Sequence, residues 1–146
     1  MNCEHCGARM VLIPNRNYFF CKYCGSWHFP ADSSEGIRIL EGETDDIRCP
    51  ICRKELLRAS MDGYLGWRCE NCRGILIAQT SFGEIVKYRR ARASGPPERP
   101  QPLRQKELER HVRCPLCTKT METHPYYGPG NLVIDSCRHC RIVWLD

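Results

Sequence analysis

The chain has 146 residues, with 22 Lys+Arg, 17 Asp+Glu and twelve cysteines. Its apolar residues fall in short runs between closely spaced cysteines, which argues for several small stapled units and against one large core. The longest runs, Met10 to Ile13 and Ile75 to Ala78, are far too short to span a bilayer, and Met1 to Ile13 lacks the basic start and apolar stretch of a secretion signal. A reducing, cytoplasmic setting is expected, where this cysteine density indicates metal ligation rather than disulfides.

Residues 1–30 form the first predicted unit. A Cys3/Cys6 pair is followed by Met10, a turn signal at Asn15-Arg16-Asn17, the aromatic approach Tyr18-Phe19-Phe20 to a Cys21/Cys24 pair, and an apolar strand through Trp27 and Phe29. An acidic connector, 31–47, contains a candidate strand at Gly36 to Leu40. The second unit, within 48–93, repeats the order with Cys49/Cys52, Leu56, the turn Asp62-Gly63, Tyr64 to Trp67, Cys69/Cys72 and Gly74 to Ile77. A helix follows over Ser81 to Ala93, where Ser81-x-x-Glu84 reads as a capping box and Phe82, Ile85 and Val86 can face inward. Residues 94–112 comprise a Pro-rich linker of extended character and a short polar helix from Leu103 to His111. The third unit, 113–146, has Cys114/Cys117, Met121, the turn Gly128 to Asn131, Leu132-Val133-Ile134, Cys137/Cys140 and Ile142 to Leu145.

Pairing neighbouring Cys-x-x-Cys motifs leaves 14, 16 and 19 intervening residues, whereas shifting the pairing by one leaves 24 and 41 and strands the terminal motifs. The second and third adjacent spacings lie in the range of a four-cysteine zinc site, and the first is one residue short of it. Three zinc ions with four cysteines each are expected. Rubredoxin-like iron is the chemical rival, because four thiolates also hold iron. Each unit reads as knuckle, strand, turn, strand, knuckle, strand, with Met10, Leu56 and Met121 in one repeated column. The fold class is thus a small metal-stapled, mainly β protein: three tandem zinc-ribbon-like modules with one or two short helices. The residue after each knuckle is expected at positive φ, which Gly7 and Gly25 accept freely and Arg53, Arg73, Thr118 and Arg141 accept with strain; Gly74 is expected to relieve that strain in the second unit.

Cys114-Pro115-Leu116-Cys117, Met121 and Asp135-Ser136-Cys137-Arg138-His139-Cys140 followed by Val143-Trp144-Leu145-Asp146 resemble the bacterial zinc-ribbon family named after transcription factor IIB. That pattern pairs a Cys-Pro-x-Cys knuckle and a following Met with a knuckle ending in Gly-x-Trp-Leu-Asp. Here Ile142 replaces the pattern's Gly, and Leu76 and His28 stand where Trp144 does. Residues 49–86 resemble it more loosely through Cys49-Pro50-Ile51-Cys52, and 1–30 keep the cysteines and Met10 without the Pro. The resemblance implies zinc and a ribbon fold.

The formal charge of +5 treats every cysteine as neutral. Twelve thiolates subtract 12 and three divalent ions restore 6, leaving −1, so global basicity is not an argument for nucleic acid. The positive excess lies in the middle, with 10 Lys+Arg against 5 Asp+Glu over 46–93. No acid, base and nucleophile set is visible and every metal has four ligands, so the chain is read as non-enzymatic, with no small-molecule substrate and no membrane insertion. The expected role is an adaptor or accessory subunit of a larger protein assembly; transcription-associated nucleic-acid binding is the alternative. The candidate contact residues are Lys87, Arg89, Arg90 and Arg92 on the helix and the aromatics Trp27, Tyr126, Tyr127 and Trp144.

Overall fold

The computed structural model describes residues 1–13, 18–30, 36–40, 42, 44–96, 99–126 and 132–146. The turns expected at Asn15 to Asn17 and Gly128 to Asn131, and Tyr127, lie outside the described residues. The fold is mainly β, as expected, and each cysteine-bounded unit is a three-stranded antiparallel ribbon. Ribbon 1 contains β1 (Val11–Ile13), β2 (Tyr18–Phe20) and β3 (Trp27–His28) in the order β1-β2-β3. The connector supplies β4 (Ile37–Ile39). Ribbon 2 contains β5 (Leu57–Met61), β6 (Tyr64–Arg68) and β7 (Ile75–Ala78), followed by α1 (Gln79–Arg92) and α2 (Gln105–Leu108). Ribbon 3 contains β8 (Glu122–Pro125), β9 (Val133–Cys137) and β10 (Ile142–Leu145).

Ribbons 2 and 3 share one seven-stranded sheet, ordered β4-β5-β6-β7-β10-β9-β8. The seam is the antiparallel pair β7/β10, in which Leu76 lies opposite Trp144 and Ile77 opposite Val143. Leu76 and Trp144 each stand four residues after the last cysteine of their own ribbon, so this pair sits on a local two-fold axis relating the two units. Side chains alternate across the seam because successive strand residues face opposite sides. Leu76, Ile142 and Trp144 join Leu56, Met121 and cysteines of both ribbons in one buried cluster. Ile77 and Val143 join Ala59, Met61 and Ile134 on the opposite side, where Phe82 and Ile85 of α1 cover them. The expectation of separate small cores therefore holds for ribbon 1 alone, whose cluster is Cys3, Met10 and Cys21.

Helix α1 begins at Gln79, two residues before the expected Ser81, and its N-cap, Ala78, makes no side-chain cap bond. The cause is the seam. Ala78 is still paired with Ile142, and the Gln79 amide donates to the Arg141 carbonyl at 3.0 Å, so β7 passes directly into the helix. Ser81 is then already inside the first turn and cannot act as a cap. The short helix expected from Leu103 to His111 is a single turn, Gln105–Leu108. The candidate strand in the connector is present as β4, which pairs with β5 through Ile37/Met61 and Ile39/Ala59.

Equivalent positions in ribbons 2 and 3 carry the same clasp with reversed charge. Asp45, four residues before Cys49, accepts bonds from Arg58 Nε at 2.6 Å and from Trp67 Nε1 at 2.8 Å. Arg110, four residues before Cys114, donates to Asp135 and is 2.7 Å from Asp146. Thr123, the counterpart of Arg58, donates from its hydroxyl to Asp135, and that oxygen lies 3.3 Å from the Arg110 carbonyl. Each clasp ties the segment leading into a first knuckle to the hairpin behind it. The ribbon 3 version is the deeper, because Asp135 is fully buried.

Ribbon 1 rests on the β5–β6 hairpin tip. His5 stacks on Tyr64 with ring centroids 4.2 Å apart, and the Trp27 amide donates to the Gly63 carbonyl at 2.8 Å. A side chain at Gly63 would strike the Trp27 carbonyl at 2.7 Å, and φ there is +90, so glycine is required on both counts.

Candidate metal centres

The six knuckles share a left-handed residue after their second cysteine. In the first knuckles of ribbons 2 and 3, the amides of Arg53 and Thr118 donate back to the Cys49 and Cys114 carbonyls at 3.0 and 2.9 Å. The turn then needs a left-handed residue. Gly7 and Gly25 have φ of 75 and 74, and Arg53, Arg73, Thr118 and Arg141 have φ of 65, 64, 65 and 55. All six expected positions are left-handed, four of them without glycine. Gly74 is not, and it relieves no strain. Its missing side chain makes room for Trp144, whose ring would lie 2.1 Å from a Cβ at that position.

These turns collect the cysteines into the three adjacent-motif sets: Cys3, Cys6, Cys21 and Cys24; Cys49, Cys52, Cys69 and Cys72; Cys114, Cys117, Cys137 and Cys140. Within each set all four sulfurs lie within 4.8 Å of one another. The Cys52–Cys69, Cys49–Cys72, Cys6–Cys21 and Cys117–Cys137 sulfurs are 3.3, 3.5, 3.5 and 3.6 Å apart. Four sulfurs about 2.3 Å from a central zinc would have tetrahedral edges of about 3.8 Å, whereas a disulfide needs about 2.0 Å. The spacing fits a metal ion and excludes a covalent bond.

The electrostatics also call for a cation. The Lys54 backbone amide pulls the Cys52 thiol down to about 6, and the Lys119 amide pulls Cys117 to about 7. Burial pushes Cys49 and Cys140 up to about 12. Without a central positive charge, neighbouring thiolates repel and raised thiols such as Cys49 and Cys140 keep their protons; a divalent ion removes that conflict. Further amides point at the sulfurs, with Ile51 and Cys52 donating to Cys49 Sγ, Leu116 to Cys114 Sγ and Cys140 to Cys137 Sγ, each at 3.4 Å. Each set can thus hold one metal ion through four thiolates.

The three centres differ in their surroundings. Cys6 and Cys24 of ribbon 1 are exposed, while their counterparts in ribbons 2 and 3 are half-buried. The buried Ser26 hydroxyl lies 3.1 Å from both Cys3 Sγ and Cys24 Sγ. The equivalent positions in ribbons 2 and 3 are Gly74 and Ile142. Burial raises the Cys3 thiol, but the Ser26 hydroxyl and the amides of Cys6 and His5 outweigh it and bring the group down to about 6. Ser26 has no counterpart in the cysteine pattern, so spacing alone did not reveal it.

Of the described candidate contact residues, Trp27 and Arg92 line one cavity with Asp62 and Tyr88. Trp144 is fully buried at the seam and cannot meet a partner, a correction caused by the β7/β10 pairing. Tyr126 packs on Phe82 with ring centroids 4.9 Å apart, beneath the Arg90 guanidinium. Arg89 binds Asp62 with Nε–Oδ2 at 2.5 Å, and Arg92 lies 4.3 Å from the Tyr88 ring centroid. Trp27 is half-buried against Phe20, and Lys87 is exposed. The apolar side chains that do face outward at knuckles are Tyr23, Ile51 and Leu116, at 85%, 45% and 45% exposure.

Among the described residues no helix is long and apolar enough to cross a membrane. No protein-family model, curated protein or solved structure matches the chain. The three four-cysteine centres on a mainly β scaffold are therefore the features on which a functional reading rests.

Proposed function

We propose that this is a non-enzymatic zinc protein of the ribbon type named after transcription factor IIB, acting as an adaptor or accessory subunit in a reducing cytoplasm. The observation that carries the reading is the closed ligand set. Each centre offers four sulfurs within 4.8 Å, leaving a tetrahedral ion no position for water or substrate, as in structural and unlike catalytic zinc sites. Elemental analysis of protein purified from native cells should return three zinc ions per chain; the visible absorption of iron thiolate would reassign the centres to electron transfer.

A protein partner is favoured over nucleic acid because the basic end of α1 is engaged within the molecule. Arg89 is spent on Asp62, and Arg90 and Arg92 lie over tyrosine rings. Ile51, Leu116 and Tyr23 instead offer apolar tips on metal-stiffened turns, the kind of preformed contact that costs little ordering entropy on binding. The test combines two arms on the zinc-loaded full chain. Partner capture should be lost in an Ile51→Asp, Leu116→Asp variant that keeps its metal. Retention on single- and double-stranded nucleic acid should be weak and indifferent to Lys87→Glu with Arg92→Glu. Tight, steeply salt-dependent retention that falls with those charge reversals would replace the adaptor reading with the nucleic-acid one.

A further inference from the structure

The seam between ribbons 2 and 3 joins strands that occupy the same place in two copies of one unit, yet their side chains are not alike. Two positions per strand face the shared core there. In β10 they are Ile142 and Trp144; in the β7 segment they are Gly74 and Leu76. With Leu76 opposite Trp144, each of these residues has the other ribbon's remaining position as its diagonal neighbour: Trp144 lies over Gly74, and Leu76 beside Ile142. Diagonal neighbours on one face of a sheet are within reach of large side chains. The Trp144 ring uses that reach, since its Cζ2 and Cη2 would be 2.1 and 2.4 Å from a Cβ at Gly74.

Large therefore meets small at one corner and medium meets medium at the other. We propose that these four residues form a steric code by which the β7 edge admits an unlike ribbon and rejects a like one. A β10–β10 pair between two copies would set Trp144 against Trp144, with Ile142 in place of the bare backbone beneath each ring; such overpacking forces side chains off their rotamers. A β7–β7 pair would set Leu76 against Leu76 over two glycines and leave a void. The surface on β7 thus fits a ribbon with a tryptophan four residues after its last cysteine, and this chain supplies that ribbon to itself as a built-in heterodimer. A second copy can enter the seam only by exchanging ribbon 3 for ribbon 3, on the same unlike pairing. This inference concerns assembly and does not depend on the adaptor reading.

Gly74 has no positive φ, so its backbone accepts a side chain, and the three atoms nearest a Cβ there all belong to the Trp144 ring. That permits a rescue test in the full zinc-loaded chain, with metal release to a chelator and light scattering as readouts. Gly74→Ile overfills the corner and Trp144→Leu empties it, and each should speed release from ribbons 2 and 3 by about tenfold or more, as for coupled core contacts. Together they recreate at this corner the Leu76/Ile142 packing of the other, and the double variant should return to within about threefold of the parent rate, the mark of non-additivity. If Gly74→Ile alone does not fold, the double variant still decides the matter: failure of the pair to fold, or release as fast as the two single losses combined, overturns the code. Recovery of the double variant as a monomer supports it.

Discussion

Ribbon 1 and the joined ribbons 2 and 3 obey the same cysteine rule and reach different stabilities of construction. The joined pair buries a cluster of eleven residues around Leu76 and Trp144, and its first-strand approaches are clasped by Asp45 and Arg110. The apolar cluster of ribbon 1 has three buried members among the described residues, two of them cysteines, and the ribbon rests on a hairpin tip through one ring stack and a few polar bonds. Metal ligation supplies the fold's connectivity in both regions, but only in the pair does the hydrophobic term add a core on which two centres depend together. Stapling sets the shape of a ribbon; pairing sets how much depends on its neighbours.

The largest expected effect tests that dependence directly. Cys114→Ala should lower the bound metal of the chain from three ions to one, because the loss of ribbon 3 uncovers the seam of ribbon 2, whereas Cys6→Ala should lower it only to two. Metal content by elemental analysis after gel filtration distinguishes these outcomes; equal losses would mean the ribbons fold independently. In the same terms, graded chelation should proceed in two steps, ribbon 1 before the pair. Trp144→Ala should cost about 3–5 kcal/mol in denaturant unfolding of the pair, the range for truncating a buried aromatic, with ribbon 1 thiols no more reactive toward alkylation than before.

The mirrored clasps sharpen the comparison within the pair. Asp135→Asn should cost about 3 kcal/mol, since it leaves the Arg110 charge without its buried partner. Asp45→Asn should cost about 0.5–1 kcal/mol, because that ion pair is partly solvated. Asp45 is held down to about 2 by its bonds from Arg58 and Trp67. A carboxyl lowered on folding contributes its full stability above the unfolded value of about 4 and loses it as pH falls through about 2. The penalty of Asp45→Asn should therefore be constant from about pH 8 to pH 5, and a penalty that shrinks over that window would contradict the assignment. The smallest effect is expected at the dock of ribbon 1, where His5→Ala should cost about 1 kcal/mol and raise the alkylation rate of Cys6 and Cys24 alone.

Much of this architecture was legible in the sequence because metal sites constrain spacing so tightly. The adjacent pairing of motifs, the Met10/Leu56/Met121 column and the six left-handed positions after the knuckles all follow from closing a tetrahedron with two turns. The seam was not legible. Ile75 to Ala78 and Ile142 to Leu145 read as buried strands, but an apolar run does not name its partner. That gap explains three specific errors, the first being Gly74, which was expected to relieve strain after Arg73 but makes room for the Trp144 ring. Trp144 looked available when it was in fact the centre of the seam, and Ser81 looked like a cap although β7 leaves no loop before α1. Ser26 was hidden for another reason: a single hydroxyl beside sulfur has no periodicity to betray it.

The position of the seam in the chain also sets a timetable. β7 is complete at Ala78, but its partner begins only at Ile142, 64 residues later. At about 5–20 residues per second, ribosomal synthesis leaves that apolar strand edge waiting roughly 3–13 seconds for its partner. Helix α1, made next, can shield the Ile77 side of the strand at once, but the hydrogen-bonding edge and the Leu76 side stay open. Crowded translation of this chain, more than the finished protein, is where association between copies is to be expected.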